Sequence, residues 1–172
     1  MAKFNADTVD DFMAAAKKKF GGDELGTTEA KPHIGFIFKD GKVTKVAITC
    51  PISMDYTEVG GGNPDKANKD AIAQVAALAK QHEEKHKAGY EAAFNKWNAE
   101  KVKKDLMAKT FKDKKEADKA AKEQMDDLDG KLMDACLDLH KQEGLLVVTH
   151  QKDGSIAVSM KAAGAGGCRK TH

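Results

Sequence analysis

The stretch Ala79–Gly89 reads AKQHEEKHKAG and holds His82, Glu83 and His86 in the order H-E-x-x-H. Two imidazoles at i and i+4 of a helix lie one turn apart on one face, where they can share a zinc ion. A glutamate directly after the first histidine projects beside that ion. It can take a proton from an attacking water and later give it to a leaving amine. The chemistry this spacing offers is metal-assisted hydrolysis of an amide. The competing reading is a solvated helix face rich in Lys, Glu and His.

The surrounding periodicity decides between them. Ile72, Ala76, Ala79, Glu83, His86, Tyr90, Ala93 and Trp97 recur in alternating steps of four and three, which is one helix face. Lys80, Glu84 and Lys87 fall on the opposite, wet face. Glu83 and His86 therefore point inward, with His82 one turn before His86. Unpaired polar groups are costly there, and coordination of a metal would satisfy both imidazoles.

A third ligand must come from elsewhere. The motif helix opens near GGGNPDKANKD, with Asn63 as N-cap and Pro64 at the first helical position, and runs to about Lys109. A polar break, KTFKDKKEAD, separates it from a second helix whose stripe is Ala121, Met125, Leu128, Leu132, Cys136 and Leu139. Two long helices joined by a short break form an antiparallel hairpin. Residues facing each other in such a hairpin share a midpoint, and for His86 and His140 it is (86 + 140)/2 = 113, inside the break. His140 thus returns beside His86. Glu143 is the alternative third ligand. Glu100 and Asp105 would need a kink to return, and Cys136 fits the core better than a ligand set. His150, on the second hairpin, is a candidate to ligate or to donate to a developing oxyanion, and Tyr90 and Tyr56 are candidate oxyanion donors. Asp134 and Asp138 could orient a ligating imidazole.

The remaining elements form the scaffold. ADTVDDFMAAAKKKFGG reads as a helix capped by Asp7 or Thr8, buried through Val9, Phe12, Met13 and Ala16, and stopped at Gly21-Gly22. His33–Lys39 and Lys42–Thr49 flank Asp40-Gly41, the pair a type I′ hairpin turn requires. A second hairpin, GLLVVTHQKDGSIAVSM, turns at Asp153-Gly154. ELGTTEAKP reads as a loop, and CPISMDYTEVGGG as a segment leaving the sheet after Pro51. The expected fold is α+β: a long antiparallel helical hairpin with two short β-hairpins, as a single domain over residues 1–160 with a flexible Gly/Ala-rich tail over 161–172.

Composition narrows the function classes. The chain has 172 residues, a third of them charged, and a net charge of only +2. Its basic residues are nearly all lysine, Arg169 being the sole arginine. Bidentate phosphate and base recognition favours arginine, so no nucleic-acid partner is expected. No apolar run approaches the roughly 18 residues of a transmembrane helix. The start, MAKFNADTVDDF, has no apolar h-region of a signal peptide. The three cysteines, Cys50, Cys136 and Cys168, share no short spacing, and their odd number argues against a disulfide framework.

Val46–Ile52 (VAITCPI), Ala77–Ala93 (ALAKQHEEKHKAGYEAA) and Leu139–Gly144 (LHKQEG) together resemble a family of bacterial secreted zinc-dependent proteases, HExxH proteins long classed as a domain of unknown function. The similar distance between the last two segments is the most specific part of the likeness. The resemblance covers roughly Lys42 to Gly144. It implies a zincin-like domain, Zn²⁺ held by His82, His86 and His140, Glu83 as base, a peptide or protein substrate, and an exported or periplasmic location. The chain departs from the family where a Tyr-Asp pair with a Thr precedes the third histidine; here the segment reads MDACLDLH, and no Gly directly follows His140. Two other functions fit the same residues: a non-catalytic helical-hairpin adaptor, and a domain that zinc merely stabilises.

Overall fold

The computed structural model describes residues 1–163 and residue 168. Among the described residues eleven elements follow one another: β1 (Ala2–Phe4), α1 (Val9–Phe20), β2 (Gly26–Ala30), β3 (His33–Lys39), β4 (Lys42–Thr49), β5 (Ile52–Val59), α2 (Lys66–Trp97), α3 (Ala99–Ala108), α4 (Lys114–His140), β6 (Leu145–His150) and β7 (Ile156–Lys161). The fold is α+β, with a bent long helix (α2 and α3) and a second long helix, two antiparallel hairpins (β3–β4 and β6–β7) and a mixed sheet. The chain divides into two compact units. One comprises Met1–Thr28, Ser53–Lys87 and Leu137–Cys168; the other includes Glu29–Ile52 and Ala88–Cys136. Apart from Lys161–Ala163 and Cys168, the tail expected over 161–172 lies outside the described residues. Lys161 itself ends β7.

In the first unit, α1 is capped as its sequence dictates. Thr8 accepts from Asp11 N at 3.1 Å, and Gly21 closes the helix at φ 92° by donating to Lys17 O. Val9, Phe12 and Ala16 are fully buried, against Leu25, Ala71, Ile72, Val75, Ala79, Leu146 and Val158. This cluster seats the first half of α2, and truncating Phe12 alone would cost about 3–5 kcal/mol.

The three-stranded sheet, in the order β1-β5-β2, corrects two expectations. The segment after Pro51 forms β5, and part of the expected loop forms β2. β1 runs parallel to β5, with Ala2 opposite Thr57 and Phe4 opposite Val59. Thr57, fully buried, ties β5 to the chain at Leu25 twice: its N and its hydroxyl donate to Leu25 O at 3.0 and 3.1 Å. Such pairing is set by partners far along the chain, so the local sequence does not announce it.

α2 begins two residues later than expected. Asp65, rather than Asn63, caps it by accepting from Asn68 N at 2.9 Å, while Asn63 N donates to Asp7 at 2.6 Å. In the second unit the helix breaks at Asn98, which adopts φ 62° and ψ 70°. Its side chain caps α3 by accepting from Lys101 N at 3.1 Å. Asparagine tolerates the left-handed region and competes for backbone donors, which is why the break falls there. α3 packs on β4. Asp40 and Gly41 both take positive φ, 51° and 75°, as a type I′ turn demands. Trp97 donates to Asp127 at 3.0 Å, and Phe111 N donates to Gly41 O at 2.8 Å, fixing the stretch ahead of α4.

Candidate metal centre

The inward stripe of α2 is buried as its period requires: Ile72, Ala79, Glu83, His86, Tyr90 and Trp97 each retain under a tenth of their exposure. His86 keeps 7% and His140 6% of full exposure. His140 is the last residue of α4. The chain then turns within four residues into β6. Glu143 N donates to Leu139 O, Gly144 N to Lys161 O, and Ala163 N to His140 O, at 2.8–2.9 Å. A Cβ at Gly144 would meet Ala163 Cβ at 2.7 Å and His140 Cγ at 3.0 Å. Only glycine lets the turn pass against the imidazole.

The three imidazoles converge through the same atom. Nε2 of His86 lies 3.1 Å from Nε2 of His82 and 3.0 Å from that of His140, and the His82–His140 separation is 3.3 Å. Three nitrogens bound tetrahedrally to zinc at 2.0–2.1 Å stand roughly 3.3 Å apart, so the donor set fits such an ion. The His86 ring is turned 83° from that of His82 and 63° from that of His140, while the His82 and His140 planes lie 29° apart. Burial pushes the His82 imidazole down to about 4; His140 adds to the fall and Glu143 opposes it. Burial, then His82 and His140, push His86 down to about 3. Both rings are thereby kept neutral, the form that ligates a metal.

Glu83 is buried and turned toward β2. Its Oε2 lies 2.7 Å from Thr28 Oγ1, and its carbonyl oxygen lies 3.2 Å from the same hydroxyl. Gly26 makes room: a Cβ there would stand 2.7 Å from Glu83 Cγ and 2.9 Å from Asp55 O. Desolvation raises the Glu83 carboxyl to about 7, the Thr28 hydrogen bond opposes that rise, and Glu24 adds to it. A carboxyl poised there can exchange a proton near neutrality.

The other candidates are placed as follows. Glu143 accepts from Lys85 Nζ at 2.5 Å, and its Oε1 lies 3.9 Å from His82 Nδ1. His150 engages Asp10 at 3.0 Å. Tyr56 is buried on β5 with Lys80 over its ring, and Tyr90 is buried in the second unit. Glu100 and Asp105 pair with Lys103 and Lys101 on the exposed face of α3. Asp138 pairs with Lys141, and Asp134 is exposed. On its far side, His140 Nδ1 lies 3.7 Å from Cys168 Sγ.

Sequence reasoning misses Gly26, Thr28 and Lys85. Gly26 and Thr28 lie in a segment that reads as a loop, and Lys85 stands inside the motif itself, where the reading rests on the two histidines and Glu83. The signal for Lys85 is its place two residues beyond Glu83, on the flank of the motif helix.

Among the described residues no helix is long and apolar enough to cross a membrane. His82, His86 and His140 form a group able to hold a metal ion. No family model matches the chain, and no curated protein or solved structure matches it.

Proposed function

We propose that the domain spanning residues 1–160 is a zinc metallopeptidase, in which His82, His86 and His140 hold the metal and Glu83 is the general base. The observation that carries this reading is the meeting of the three Nε2 atoms at 3.0–3.3 Å. Three histidines leave a fourth position for water or substrate, as catalytic zinc sites do. Zinc bound there would polarise a scissile carbonyl and make an attacking water more acidic. Glu83, held near neutrality by burial and aimed by Thr28, would take that proton and return it to the leaving amine. The sheet order leaves β2 at an edge, and β2 carries Gly26 and Thr28 against Glu83. An extended peptide added to that edge would fit a peptide substrate.

Metal analysis of the purified protein should find about one zinc per chain, as a single-metal site requires. Glu83→Gln should keep the zinc and abolish peptide cleavage. A protein that stays metal-free after incubation with zinc would overturn the reading.

One observation favours a second reading, a zinc-stabilised structural domain. The Glu83 carboxylate is already engaged by Thr28 at 2.7 Å. Tight zinc binding with no cleavage by the native chain, over a broad peptide mixture, would select it.

A further inference from the structure

Coordination through Nε2 decides what the other ring nitrogen does. A neutral imidazole has one proton, so a ring that gives its Nε2 lone pair to a metal carries that proton on Nδ1. In His82 this atom is buried and makes no hydrogen bond. Buried N–H groups without an acceptor are costly. Glu143 Oε1 stands 3.9 Å away, too far for a hydrogen bond but within a side-chain adjustment of one. Lys85 Nζ, 2.5 Å from the same oxygen, holds it back. The three side chains come from two elements, α2 and the turn that follows α4, and the hydrogen bonds of Glu143 N and Gly144 N fix that turn.

We propose that Glu143 is a positioning residue rather than a ligand: its carboxylate accepts the Nδ1–H of His82 when metal binds, and Lys85 is the latch that holds it in waiting. The inference rests on the metal reading above. It places Glu143 outside the ligand set that the sequence left open. A carboxylate on the far nitrogen fixes the tautomer and the ring orientation and makes the ligating nitrogen a better donor. Lys85 sets how readily the carboxylate turns, so the pair tunes affinity for the metal without touching it.

The test is zinc affinity, measured by competition with a chromophoric chelator, on the native chain and four variants. Glu143→Ala should weaken binding roughly ten- to hundred-fold, the usual effect of losing such a partner, and Glu143→Gln should fall between. Glu84→Ala removes a neighbouring carboxylate that pairs with Lys80, and it should leave the affinity unchanged. Lys85→Met frees the carboxylate and should bind zinc at least as tightly as the native chain. In the zinc-loaded native protein, nitrogen-detected NMR should show His82 protonated on Nδ1 with a slowly exchanging proton, and Glu143→Ala should speed that exchange. Native affinity in Glu143→Ala overturns the proposal. So does weakening by Lys85→Met as large as that by Glu143→Ala, which would mean that the ion pair only holds the turn. A native chain that binds no zinc overturns the metal reading itself, and is told apart because every variant then behaves alike.

Discussion

His86 and His140 meet at 3.0 Å between their Nε2 atoms, across 54 positions of chain. The contact joins the middle of one long helix to the last residue of another, and it sets the first prediction. A ligand that binds only the folded chain stabilises it by RT ln(1 + [L]/Kd), about 2.7 kcal/mol at a hundredfold excess over Kd. For a chain of this size that raises the melting midpoint by roughly 5–10 °C. Zinc should produce this rise in the native protein and a chelator should remove it. His82→Ala, His86→Ala and His140→Ala should each lose the response. Thermal melts with and without zinc check this. A zinc-induced rise that survives His140→Ala would move the third ligand elsewhere.

Gly26 and Thr28 set the position of the Glu83 side chain. Gly26→Ala drives a Cβ to 2.7 Å from Glu83 Cγ and 2.9 Å from Asp55 O. Neither the strand backbone nor the buried side chain can yield freely, and overpacking of this kind costs about 1–3 kcal/mol. Thr28→Val keeps the shape but removes the hydroxyl that donates to the carboxylate, the contact through which Thr28 would orient Glu83 in the proposed peptidase. It should keep metal binding and lower cleavage on the order of 10- to 100-fold through misorientation. Urea unfolding checks the first variant, and parallel metal and cleavage assays check the second. Equal loss of metal and activity in Thr28→Val would show a folding defect instead.

Much of the site is legible in the sequence because periodicity and turn chemistry are local. The four-three spacing from Ile72 to Trp97 places Glu83 and His86 on the buried stripe, where both lie. The midpoint at 113 foretells the approach of His140, and α4 begins at Lys114. Asp40-Gly41 demands positive φ and has it. What stays hidden is non-local. β1 pairs with β5 across more than fifty residues, and GTTEA has too few apolar residues to read as a strand until β5 supplies its partner. Thr28 and Gly26 were hidden with it. Asn63 and Asp65 are both good caps two residues apart, and what separates them is that Asp65 accepts from Asn68 N while Asn63 N is tied to Asp7. The break at Asn98 carries neither Gly nor Pro to announce it.

That break yields a prediction within the second unit. Asn98 holds φ 62° and caps α3 with its side chain. Asn98→Ala loses the cap and with it the short polar side chain that lets this position tolerate the left-handed region, for a combined cost of about 1–3 kcal/mol. Asn98→Gly keeps the backbone freedom and should cost only a few tenths of a kcal/mol. Denaturant midpoints of the two variants should separate accordingly. Equal destabilisation would assign the whole effect to the side-chain hydrogen bond.

The buried imidazoles and Glu83 also make the metal-free protein respond to pH in a definite sense. His82 and His86 titrate at about 4 and about 3 in the folded chain, against 6.5 for a free imidazole. Below about pH 6.5 the unfolded chain therefore binds protons that the folded chain refuses, and stability falls with acid. Glu83 has the opposite sign. It titrates at about 7 folded against 4.5 free, so the folded chain binds the extra proton between those values and gains stability as pH falls through them. Two imidazoles outweigh one carboxyl in the shared window, so these three groups together destabilise the metal-free protein from about pH 6.5 downward. Glu83→Gln removes the compensating proton. It should steepen the acid loss and, at pH 8, raise stability, because no buried carboxylate is then left charged. Denaturant unfolding of the chelated protein and its Glu83→Gln variant between pH 4.5 and 8 reads both effects. A Glu83→Gln curve parallel to the native one would mean that Glu83 is ionised throughout, solvated well enough that burial does not hold its proton.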